Sequence, residues 1–66
     1  MRIELNGKDH EIAGDASVSA LIEVLGLQNQ ACAVEVNKKL VRKAEHAEHA
    51  LTEGDRVEIV TLVGGG

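Results

Sequence analysis

Residues 1–27 read MRIELNGKDHEIAGDASVSALIEVLGL, and the fold follows from how this stretch changes its apolar period. Met1 to Leu5 alternates, with Ile3 and Leu5 on one face and Arg2 and Glu4 on the other, as a half-buried strand does. Asn6-Gly7 follows, the dipeptide best suited to the two positive φ angles of a type I′ hairpin turn. The return strand, Lys8 to Ile12, therefore pairs with the first. Cross-strand register sets Lys8, His10 and Ile12 on the side of Ile3 and Leu5. A polar turn, Ala13-Gly14-Asp15-Ala16, ends the hairpin, and the pattern then becomes helical. Ser17 is placed to cap the first turn, and Val18, Leu21, Ile22 and Leu25 make one apolar stripe. Gly26-Leu27 reads as a C′ glycine followed by the hydrophobic residue of a Schellman stop. A lone hairpin cannot bury its apolar face, but a helix laid across it can.

Working outward, Ala31 to Asn37 alternates again, with Cys32, Val34 and Val36 inward and Ala33 and Glu35 outward. Asn37-Lys38-Lys39 turns the chain into a brief strand, Leu40-Val41. Arg42 to Leu51 reads as weakly helical, with Ala44, Ala47 and Leu51 expected toward the core. Glu53-Gly54-Asp55 is a turn, and Arg56 to Val63 is the longest strand, rich in β-branched residues. The expected architecture is α+β: a mixed four- or five-stranded sheet packed on one main helix. One domain is expected over residues 1–63, with residues 64–66 expected as a flexible glycine tail.

Composition narrows the function classes. A domain of 66 residues buries only about 60% of its unfolded surface, which leaves one thin core and no enclosed catalytic cleft. Phe, Tyr and Trp are absent, so base stacking on aromatic rings is unavailable, and a net charge of −4 opposes phosphate binding. No nucleic-acid partner is expected. A single cysteine permits no internal disulfide, and the opening MRIELNG has no signal-peptide core. No apolar run approaches the length of a membrane span. The expectation is a soluble cytoplasmic domain with no membrane partner.

Gly64-Gly65-Gly66 follows directly on the apolar last strand. Glycines add no packing side chain and lose backbone entropy when ordered, so they do not usefully extend a strand. The last five residues, extended, would reach roughly 17 Å from the sheet. Without Cβ atoms such a tail can thread a narrow channel into another protein's active site. An ordinary α-carboxyl group has a pKa of about 3.5, so a terminal carboxylate is ionised and unreactive at neutral pH. Reaction with ATP would give an acyl-adenylate, which a sulfur nucleophile can attack to leave a thiocarboxylate. An unbranched glycyl carbon is sterically open to that attack.

The whole chain resembles the ThiS family of ubiquitin-like, β-grasp sulfur carriers. The resemblance rests on Met1 to Gly7, Val18 to Ile22, Val34-Glu35-Val36-Asn37-Lys38, and above all Glu53 to Val60 running into Val63-Gly64-Gly65-Gly66. It implies a protein cosubstrate rather than an enzyme, with no bound cofactor. Gly66 would be adenylated by a ThiF-like enzyme using ATP, then thiolated by a sulfur donor such as a cysteine desulfurase. A ThiG-like thiazole synthase would use the sulfur for the thiazole ring of thiamine. The sister MoaD family, the small subunit of molybdopterin synthase, shares fold and tail. Its members are usually longer and tend to carry Phe and Pro, which this chain lacks. Some relatives serve tRNA thiolation. A ubiquitin-like protein modifier would use the same activated Gly66 with a lysine amine as acceptor. A β-grasp regulatory module similar to TGS domains is opposed by the acidic charge and the diglycine end.

Four further features of the sequence bear on function. Val60 and Leu62 alternate onto the outer sheet face beside Ala33, a patch that leads into the tail and is expected to dock a partner. Cys32, alternating inward, is expected to be a small buried hydrophobe. His46 and His49, in a tandem Ala-Glu-His repeat, fall short of the three or four protein ligands of a zinc site. They are expected on a solvated face, and no metal is expected. His10 is expected to be a partly covered structural histidine near a sheet edge.

Overall fold

Asn6 and Gly7 sit at φ 50° and 84°, the paired positive angles of a type I′ turn. They fold β1 (Arg2–Leu5) onto β2 (Lys8–Glu11) with Ile3 opposite His10 and Leu5 opposite Lys8. The computed structural model describes residues 1–62. The expected tail, Gly64 to Gly66, and Val63 before it lie outside the described residues. A second turn of the same kind joins β3 (Cys32–Val36) to β4 (Lys39–Val41), here with Asn37 and Lys38 at φ 53° and 69°. No glycine relieves Lys38, and a left-handed L-residue costs about 1–2 kcal/mol.

The last strand, β5 (Arg56–Thr61), takes the centre of a five-stranded sheet ordered β2-β1-β5-β3-β4. It runs parallel to β1 and antiparallel to β3, so the sheet is mixed, as a β-grasp requires. Five strands, rather than four, are formed.

One face of the sheet carries α1 (Val18–Val24). The Ser17 Oγ accepts from the Ala20 amide at 3.1 Å. At the other end Gly26, at φ 74°, donates to the Glu23 carbonyl and Leu27 donates to that of Ile22, the two bonds of a Schellman motif. Val18, Leu21 and Ile22 are buried against Ile3, Val34, Val36, Val57 and Ile59, with Leu25 and Leu27 packed at the margin. Each such aliphatic side chain contributes roughly 1.5–3 kcal/mol through burial. Ala16, read as part of a polar turn, is itself buried.

The segment from Arg42 to Leu51 departs from expectation. Only Lys43–Glu45 is helical, as a short 3₁₀ turn. Ala44 and Ala47 are exposed, whereas His46 is buried, and Leu51 alone of the three expected core residues is inside. The cause lies in α1, whose first amides have no partners within the helix. The His49 carbonyl accepts from Val18 N and the His46 carbonyl from Ser19 N, both at 2.9 Å. Leu51 N donates to the Ala16 carbonyl, beside a bridge between Ser17 and Ala50. A continuous helix over 42–51 would turn these carbonyls back on itself and leave the start of α1 unsatisfied.

Candidate functional site

The site is built on β5, because the tail continues from it. Two asparagines fasten this strand. Asn6 Oδ1 accepts from Ile59 N at 2.9 Å, and its Nδ2 donates to the Ile59 carbonyl at 3.3 Å, so one side chain mimics a strand neighbour where β1 has ended. Asn37 holds the start of β5 with side chain and backbone together: its Oδ1 accepts from Arg56 N at 3.0 Å, while its backbone N–H donates to the Arg56 carbonyl at 2.7 Å. Both residues occupy left-handed turn positions, which Asn tolerates better than most. The sequence reading used them only as turn formers. Their second role depends on β5 arriving from 53 residues away in the chain for Asn6 and 19 for Asn37.

Asp55 locks the entry to β5. Its carboxylate accepts from the Thr52 amide at 2.8 Å, the Thr52 hydroxyl at 3.0 Å and Asn37 Nδ2 at 3.0 Å. Burial pushes its pKa up. The Thr52 amide bond, the side-chain bonds from Asn37 and Thr52, and the charge of His49 more than offset this and hold it below the ordinary value.

On β5, Val57 and Ile59 face the helix, while Val60 and Leu62 are 59% and 56% exposed. Ala33 stands directly opposite Val60 on β3. The outward placement expected of Val60, Leu62 and Ala33 is therefore what the sheet shows. Leu62 is the last described residue, and its amide donates to the Ala31 carbonyl at 2.8 Å. Leu40, not among the residues expected in this patch, is 65% exposed on the same face, opposite Glu35. Its alternation with buried Val41 carried that signal. Between Leu40 and Val60 sit Glu35 and Glu58, cross-strand partners that are both exposed.

At the end of the sheet where β5 finishes, a groove of about 390 Å³ is lined by Ile22, Cys32, Lys43, His46 and Leu62 among others. Cys32 is half-buried, and its thiol donates to the Gln30 carbonyl at 3.6 Å. It packs against the margin of the core as an inward-facing residue, but it is not the buried hydrophobe expected, because the strand ends there beside the groove. His46 was expected on a solvated face. Instead its Nε2 lies 3.1 Å from the Val41 carbonyl, and since a carbonyl only accepts, Nε2 carries the proton. His46 and His49 thus do not share a face: one is interior, the other lines a separate groove of about 480 Å³ at the opposite end of β3, beside Asp55. Among the described residues no group of three His, Cys, Asp or Glu is placed to hold a metal ion. His10 is half-buried opposite Ile3, and its Nε2 has no hydrogen-bond partner among the described residues. No helix among them is long and apolar enough to cross a membrane.

A family model described as the ThiS family matches residues 3–66. The chain is 37% identical over 65 residues to the sulfur carrier protein ThiS of Bacillus subtilis, a match covering 97% of this chain and 98% of that protein. It is also 36% identical over 66 residues to a thiazole synthase of Paramagnetospirillum magneticum. That match covers 100% of this chain and 20% of the synthase, so the chain spans about a fifth of that relative's length. The crystal structure of ThiS from Geobacter metallireducens is similar throughout, with a TM-score of 0.84 at 28% identity and 100% of both chains covered.

Proposed function

The chain belongs to the ThiS family, and from that premise we propose that its working group is the carboxylate of Gly66. As a ThiS-family protein it is a carrier acted on by others, not itself a catalyst. The single observation that carries the reading is that the family match runs through to residue 66, taking in Gly64-Gly65-Gly66.

Elementary chemistry supplies the steps. The Gly66 carboxylate attacks the α-phosphorus of ATP on a ThiF-like enzyme, pyrophosphate leaves, and a mixed anhydride forms. A persulfide carried by a donor such as a cysteine desulfurase then attacks the acyl carbon through its terminal sulfur and expels AMP. A second thiol attacks the donor's sulfur of the acyl disulfide so formed, which frees the thiocarboxylate and leaves the donor as a disulfide. The thiocarboxylate that results holds sulfide in a form a ThiG-like thiazole synthase can take up. Similarity to thiazole synthases supports that destination. The tail, Gly64 to Gly66, threads the partner's active site, and the patch of Val60, Leu62 and Ala33 holds the carrier while it does so.

The test is incubation with a ThiF-type enzyme, Mg-ATP and a sulfur donor, followed by intact mass spectrometry. One oxygen of Gly66 should be replaced by sulfur. Retention of the oxygen, under conditions where a known ThiS protein is converted, defeats the proposal.

A further inference from the structure

The outer sheet face pairs two features that oppose each other. Val60, Leu62 and Leu40 invite burial, each being more than half exposed. Glu35 and Glu58 resist it. They are directly opposite on antiparallel β3 and β5, where side chains on one face lie about 5 Å apart at Cβ and like charges repel. Glu35 has Leu40 as its other cross-strand partner, and Ala33, two residues away, faces Val60. A surface that covers both Leu40 and Val60 must therefore cover Glu35 as well.

Among the described residues neither glutamate is in an ion pair, although Lys38 and Arg56 line one hollow with Glu58. The single ion pair among the described residues is Arg2–Glu11, at 3.4 Å on the far edge of the sheet. Arg56, two residues along β5 from Glu58, stands opposite Glu4 and forms no ion pair with either glutamate. On the other side of Glu58 lies Asn6, whose amide is engaged with Ile59. Desolvating two adjacent carboxylates without a counter-charge is strongly unfavourable, whereas a guanidinium that bonds both is favourable and geometrically selective.

We propose that Glu35 and Glu58 together receive one arginine or lysine of the adenylating enzyme, so that the apolar face is covered only by a partner that brings this cation. The inference rests on the carrier reading above and adds the chemistry of the docking partner. A second copy of this chain does not fit. The same face carries Glu4, Asp9, Glu11, Glu35 and Glu58 against Arg2, Arg56 and Lys38, so it remains net acidic and two such faces repel. An enzyme that binds ATP and releases pyrophosphate has a cationic site, and an acidic carrier is steered toward it.

The experiment measures thermal midpoint and affinity for the ThiF-type adenylating enzyme in Glu35→Gln, Glu58→Gln, the double variant, Glu58→Lys and Val60→Asp. Each glutamine variant should bind ten- to a hundredfold more weakly, with unchanged or raised thermal stability because the repulsion is relieved. The double variant should lose less than the product of the singles, since both contact one cation. Glu58→Lys should satisfy Glu35 internally, raising stability while weakening binding at least as much. The salt dependence of binding should flatten in the double variant. Affinities within twofold of wild type in the glutamine variants, or tighter binding, overturn the inference if Val60→Asp still weakens binding tenfold or more. If Val60→Asp also binds normally, the docking role of the whole face falls, and the inference with it.

Discussion

Asn6 offers a direct test of how the tail-bearing strand is held. Replacing it by alanine removes two hydrogen bonds to the Ile59 backbone, of 2.9 and 3.3 Å, in a part-buried setting. At about 1 kcal/mol each, their loss costs about 2 kcal/mol. Alanine must also hold φ near 50°, which adds about 1 kcal/mol. Asn6→Ala should therefore lower stability by about 3 kcal/mol, and Asn6→Gly, free of the φ penalty, by about 2 kcal/mol. With an unfolding entropy of about 2.1 cal/mol/K per residue, a 66-residue chain has about 0.14 kcal/mol/K, so each kcal/mol moves the midpoint by about 7 °C. The expected drops are about 20 °C and about 15 °C. Such a loss is a large share of the stability usual for so small a domain. Calorimetric melting of the three proteins, with urea titration at 25 °C, measures both. A loss below about 1 kcal/mol in both variants would refute the idea that the Asn6 side chain serves as a strand neighbour of β5. Equal losses would refute the contribution of backbone conformation.

Two other outcomes are expected. Gly65→Ala keeps the carboxylate and chain length but adds a methyl group; if the tail passes through a channel fitted to bare backbone, ATP–pyrophosphate exchange should fall about tenfold or more while docking survives, since a misplacement of ~1 Å can cost about 100-fold. Near-native exchange would point to flexibility as the glycines' only contribution. For Asp55, a folded pKa below the unfolded value of about 3.9 means the unfolded chain binds more protons in acid, so stability rises with pH there. Its contribution is full above the unfolded pKa and is lost as pH falls through the lower folded one. Asp55→Asn should then cost about 1–2 kcal/mol at pH 7 through its lost capping bonds, with the difference shrinking toward pH 2. Parallel stability–pH curves for the two proteins would contradict this.

Local signals along the chain were sufficient for the hairpin at Asn6-Gly7, for α1 with its Ser17 cap and Gly26 stop, and for the outward set Val60, Leu62 and Ala33. Each is a short-range matter: a positive φ, a helical stripe or a strand's twofold alternation places a side chain without knowledge of distant residues. The roles of Asn6, Asn37, His46 and the Glu35–Glu58 pair were set only by tertiary structure. Asn6 meets Ile59, and Glu35 meets Glu58, only once β5 has entered the sheet between β1 and β3. Arg42 to Leu51 is the sharpest case. Its alanines favour a helix locally. The open amides of α1 take the carbonyls of His46 and His49 instead, and this turns His46 inward and Ala44 and Ala47 outward. A weak local propensity of a few tenths of a kcal/mol per residue yields where buried backbone groups would otherwise lack partners, because each unsatisfied group costs about 1–3 kcal/mol.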